Sequence, residues 1–191
     1  GTIVYRSRAM KYYIAFLTIF YKEIRRFTRI WPQTLLPPAI TTSLYFLIFG
    51  RLIGDRIGTV NGQSYMDYIV PGIILMSVIS HSYSNVVSSF YSTKFQRHIE
   101  ELLVAPVPNA IILLGYVSGG IARGLLVGSV VTGISMFFSH LSVQFLGMAL
   151  LVAFLTSLLF ALAGFINAVF ADSFDDISII PNFVLTPLSY L

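Results

Sequence analysis

Four polar side chains interrupt the long apolar runs of this chain: His81, Asn85, Arg123 and Asn167. Arg123 is the lone cation in the run 110–138. An unpaired charge at mid-membrane costs about 2.5 kcal/mol or more, so its guanidinium must face protein, water or a phosphate. Two readings follow: contact with an anionic substrate group or an internal partner, or a position near the interface where the helix protrudes. His81, Asn85 and Asn167 suit hydrogen bonds between helices, with a polar substrate path as the alternative. Bond-making chemistry has little to work with. The chain has no cysteine and three scattered histidines. HExxH and GxSxG are missing, and no pair of aspartates is buried in a span, so neither a metal centre nor a hydrolase is expected. GxxxxGK[ST] is absent too, so the chain has no P-loop of its own.

The second feature is a charged island between two apolar runs, TKFQRHIEELLVAPVPN over 93–109. As a helix from Lys94 to Val104, it groups Phe95, Ile99, Leu102 and Leu103 on one face and Lys94, Arg97, His98 and Glu101 on the other. Glu100 sits beside them, and Pro106 and Pro108 end the helix. Such a knob could take up force from outside the membrane; a solvated connecting loop is the alternative.

Composition sets the elements that must hold these residues. Hydrophobic residues make up 56% of the 191 and charged residues 10%, with mean hydropathy +0.81. A soluble domain carries about 25% charge, so the fold class is an all-α polytopic membrane bundle. The net charge of +4 lies beside apolar runs rather than along a soluble face, which argues against nucleic-acid binding.

The first 32 residues read as an amino-terminal segment with an amphipathic helix in the headgroup layer. There Phe16, Phe20, Phe27 and Trp31 form one stripe, and Lys22, Arg25, Arg26 and Arg29 another. Packing against a soluble partner is the alternative. A transmembrane domain follows over 33–191. Its spans are expected at 33–50, 68–92, 110–138 and 145–171, with an incomplete fifth at 177–191. A polar loop at 51–67 and a short turn at 139–144 connect them. Ser173 and Asp176 have capping-box spacing ahead of the fifth helix. A run that stops at Leu191 without flanking charge is expected of a fragment. Lys and Arg are concentrated in the amino-terminal segment and the island, which places both in the cytosol. Gly120, Gly124 and Gly128 fall at fourth positions and invite close helix packing, within the chain or between two copies. Tyr83, Phe90, Tyr91 and Tyr116 could line a path or simply pack.

The strings LLPPAITTSLYFLIFG, YIVPGIILMSVI, FQRHIEELLVAPVPNAIILLGYVSGGIARG and FADSFDDISIIPNFVLTPLSYL resemble the permease subunits of ABC-2 type transporters, over about 14–191. The resemblance implies six spans per subunit, two permease copies, and a cytosolic ATPase partner that binds ATP and Mg. It makes about 94–106 the coupling helix that docks on that ATPase, with Lys94, Phe95, Arg97, His98, Glu100, Glu101, Leu102, Leu103 and Pro106 at the contact. It implies export of a lipid, a glycan or a hydrophobic drug-like compound across a bacterial inner membrane. The chain itself is expected to bind no cofactor and catalyse nothing. A secondary transporter working without ATP is the alternative; it lacks support from internal repeats or buried carboxylates.

Overall fold

The computed structural model describes residues 2–140 and 145–190, with side chains from residue 8 onward. Residues 141–144 of the expected turn, Leu191 and the Arg6 side chain lie outside the described residues. The elements are α1 (Thr2–Arg29), α2 (Trp31–Tyr45), a π-helical stretch Phe46–Ile53, α3 (Gly54–Ile57), strands β1 (Thr59–Val60) and β2 (Gln63–Ser64), α4 (Tyr65–Phe95), α5 (His98–Val104), α6 (Asn109–Phe138), α7 (Leu146–Phe170), α8 (Phe174–Ile180), a π-helical turn Pro181–Leu185 and α9 (Thr186–Leu188).

Among the described residues, four helical stretches are long and apolar enough to cross a membrane: Trp31–Ile57, Tyr65–Phe95, Asn109–Phe138 and Leu146–Phe170. The first runs past the expected end at 50. Most of the expected 51–67 loop is therefore helix, and a short antiparallel hairpin fills the gap. Asn61 (φ 52°) and Gly62 (φ 79°) make its turn, the Asn-Gly pair that suits two positive φ values in succession. The fifth helix starts where its capping box predicts. Ser173 accepts from the Asp176 N–H, and Asp176 accepts from the Ser173 N–H. It then winds through a π turn at Pro181 instead of forming a straight span.

The helix α6 is the hub, because glycine opens it on two sides. A methyl added at Gly128 would lie 2.6 Å from Val78 Cγ2, and Gly120 and Gly124 are closed by Val86 and Ser82, all on α4. The glycine stripe thus packs within the chain. On the other side, methyls at Gly115 and Gly119 would lie 2.5 Å from Ile19 Cγ2 and 2.6 Å from Glu23 Cβ of α1. Both helices advance four residues between these contacts, so α1 runs parallel to α6 there. Helix α7 covers α4 at Gly164, where a methyl would meet the Tyr83 carbonyl oxygen at 2.7 Å. The core joins Tyr83, Val86, Phe90, Tyr116, Val117 and Ala161.

These contacts correct the expected amino-terminal helix. Its buried face is Ile19, Glu23 and Phe27, so that of the aromatic stripe Phe27 alone is buried. Phe16 and Phe20 stack on each other at 5.9 Å, and Trp31 is 57% exposed at the start of α2. Lys22, Arg25 and Arg29 stay exposed, whereas Arg26 turns inward.

Candidate functional site

The island is not one helix. Lys94 and Phe95 are the last residues of α4, and α5 begins only at His98. Between them Arg97 takes a left-handed conformation (φ 60°, ψ 9°). This is an uncommon backbone for a residue with a Cβ, and it breaks the helix sharply. The joint re-aims the apolar stripe. Ile99 and Leu102 turn toward the core, while Phe95 and Leu103 are 64% and 61% exposed. Arg97, His98, Glu100, Glu101 and Pro106 are exposed as well. Below α5 lies an apolar groove of about 390 Å³ lined by Phe90, Ile99, Leu103, Ile112, Phe165 and Val169.

Lys94, expected on the solvent face, is instead a structural tie. Its Nζ donates to the carbonyl oxygens of Val169 (2.9 Å) and Ala171 (2.6 Å). A helix leaves its last carbonyls without partners and carries partial negative charge at that end, so a lysine there satisfies both. Beside it, the Phe174 ring meets Tyr91 edge-on at 4.8 Å and Phe95 at 5.0 Å. The α5 joint is thereby fastened to the α7–α8 turn. In that turn the Asp176 carboxyl is held below the usual carboxylate range, first by the Asp172 N–H, then by the Ser173 hydroxyl and N–H.

A second constellation is buried where α1, α4 and α6 meet. Glu23 is 0% exposed. The Ser89 hydroxyl donates to its Oε1 at 2.5 Å, and Asn85 Nδ2 donates to its Oε2 at 3.4 Å. Arg26 Nη2 donates to Asn85 Oδ1 (2.8 Å), to the Asn85 carbonyl (3.1 Å) and to Glu23 Oε2 (3.4 Å). Arg123 Nη1 reaches the same Asn85 Oδ1 at 3.4 Å. The Glu23–Arg26 contact is the only ion pair among the described residues. Arg123 lies 14 residues after Asn109 and His81 14 residues before Phe95, about 21 Å along each helix at 1.5 Å per residue. Arg123 therefore lies at the middle of α6, with its guanidinium turned to Asn85 of α4.

Of the other expected path residues, Asn167 donates to the Tyr83 hydroxyl at 2.7 Å, a tie between α7 and α4. Asn85 is the hub of the polar cluster, and His81 stands one turn from it with Nδ1 buried and unpartnered. Phe90 and Tyr116 pack edge to face at 5.3 Å, and Thr93 and Tyr116 share a hydroxyl hydrogen bond of 3.0 Å. Sequence reasoning missed Glu23 and Ser89. One signal was available: Glu23 is the single acid in α1, spaced four residues from both Ile19 and Phe27. No group of three or more potential metal ligands comes together among the described residues.

Comparison with known proteins meets the same segments. The chain is 60% identical over 180 residues to the protein named Inner membrane transport permease YadH of Escherichia coli K12, covering 94% of this chain and 70% of that protein. The Shigella flexneri protein of that name gives the same figures. Nodulation protein J of Rhizobium meliloti is 26% identical over 149 residues, 78% of this chain and 57% of that one. No solved structure matches. The family described as ABC-2 type transporter matches residues 14–191, from within α1 through the α5 joint to the last helix. With four helices among its described residues long and apolar enough to cross the inner membrane, the chain belongs to the ABC-2 type transporter family as a multi-pass transport permease.

Proposed function

We propose that this permease is the membrane half of an ATP-driven exporter and that α5 is where a separate cytosolic ATPase docks. One observation carries the reading. The short α5 presents Arg97, His98, Glu100 and Glu101 outward, while Lys94, one residue short of the end of α4, binds the end of α7. A push on such a peg moves α4 and α7 together, because packed helices shift as rigid bodies. The concentration of Lys and Arg ahead of α2 and in the joint favours the cytosol for both. ATP and Mg belong to the partner, and a second permease copy completes the path. The cargo is of the lipid, glycan or hydrophobic drug-like class.

The test is partner-stimulated ATP hydrolysis by the reconstituted full-length complex. Glu100→Arg together with Glu101→Arg should abolish both co-purification of the ATPase and stimulation. Unchanged assembly and stimulation would refute α5 as the docking surface.

A further inference from the structure

The buried cluster does not balance its charge. Two guanidinium groups, Arg26 and Arg123, converge on one neutral amide oxygen, with one carboxylate, Glu23, to offset them. That carboxylate is already occupied by Ser89 and Asn85. Arg26 Nε and Arg123 Nε are both buried without a hydrogen-bond partner. Arg26 is paired with Glu23 and keeps a third of its side chain exposed, so the uncompensated charge is that of the half-buried Arg123; a poorly solvated charge is costly, and fixed donors short of acceptors favour an anion beside them. Arginine is suited to phosphate because its planar fork donates two parallel hydrogen bonds.

A groove of about 220 Å³ between α2 and α4 is lined by Pro38, Thr41, Thr42, Ser77, Ser80 and His81. One of its lining residues, His81, has its Nδ1 buried without a partner and stands one turn before Asn85 on α4. The groove wall combines hydroxyls and a histidine with apolar side chains, which suits a polar head joined to an apolar tail.

We infer that Arg26, Arg123 and Asn85 form a binding site for the net-anionic phosphate-ester head of an amphiphile entering between α2 and α4, a head without a cation of its own. Glu23 acts there as a built-in competitor: it neutralises part of the cationic charge when no anion is bound and limits how tightly one is held. That the bound amphiphile is cargo rests on the export reading above; that the site binds a phosphate ester does not.

The experiment uses the full-length permease without its ATPase, in nanodiscs of phosphatidylcholine. Three probes are titrated: short-chain phosphatidylglycerol, short-chain phosphatidylcholine and inorganic phosphate. Binding is read as a saturable rise in thermal midpoint. Phosphatidylglycerol should bind, and phosphatidylcholine should not. Arg123→Gln should weaken phosphatidylglycerol about tenfold or more, the scale of one charge-assisted hydrogen bond, while Arg123→Lys, which keeps the charge but loses the planar fork, recovers only part of the affinity. Glu23→Gln should bind severalfold tighter than the parent, a gain that misfolding cannot imitate. Equal binding of inorganic phosphate would assign the site to the free anion rather than the lipid-borne one, and so overturn the amphiphile. Indifference of binding to both Arg123→Gln and Glu23→Gln, or equal response to the two lipids, would overturn the site. Because no ATPase is present, these results are independent of whether α5 couples to one.

Discussion

Arg26 of α1 and Arg123 of α6 donate to the same atom, Asn85 Oδ1, at 2.8 and 3.4 Å. One neutral side chain on α4 thus joins three helices. Removing it should cost far more than an ordinary surface substitution. Asn85→Leu removes the partner of Arg123 Nη1, leaves Arg26 with only the residue-85 carbonyl and Glu23, and takes one donor from Glu23, a loss of about 2–3 kcal/mol for charged hydrogen bonds. The thermal midpoint of the detergent-solubilised protein should fall clearly, and an unchanged midpoint would show that the cluster does not hold the helices together.

Close approach of α7 to α4 depends on Gly164. A methyl there would lie 2.7 Å from the Tyr83 carbonyl oxygen, a backbone atom that cannot swing aside. Gly164→Ala should destabilise by about 1–3 kcal/mol, the usual cost of overpacking. Gly133→Ala is the control, since nothing lies within 4 Å of its added methyl. Equal thermal midpoints for the two variants would contradict the packing described.

Lys94 binds the free end of α7 and so links the α5 joint to a helix that is separated from it in sequence by the whole of α6. Lys94→Met should lower stability by about 1 kcal/mol, the scale of a cation at a helix C-terminus. It should lower ATPase stimulation in the reconstituted complex more than it lowers co-purification of the ATPase. Loss of co-purification in step with stimulation would make Lys94 a docking residue instead of a transmission link.

The membrane class and the existence of four long apolar helices were legible in the sequence because both follow from apolar run length, and the glycine spacing at fourth positions pointed to close packing without saying against what. The extension of the first helix to Ile57 and the π turn at Pro181 were not legible. The capping box at Ser173 was legible from its local spacing. The joint at Arg97 was not, because an arginine carries no signal for left-handed backbone; the break comes from α4 tying Lys94 to α7 while Ile99 and Leu102 turn back to the core. The inward turn of Arg26 was hidden as well. Periodicity places it among the basic residues of α1. Its inward partner Asn85 lies 59 residues away, and the packing that buries the neighbouring Glu23 comes from Gly119 on α6. The polar cluster joins residues 23, 85 and 123, a separation that no local pattern encodes.

The most direct measurement concerns which side of the membrane α5 faces. His98 is exposed on α5, and the chain has no cysteine, so His98→Cys introduces a distinct thiol into this region. A membrane-impermeant maleimide should label it in inside-out vesicles and leave it unlabelled in intact cells. Labelling from outside intact cells would put α5 on the periplasmic side, beyond reach of any cytosolic ATPase, and the coupling account would be wrong.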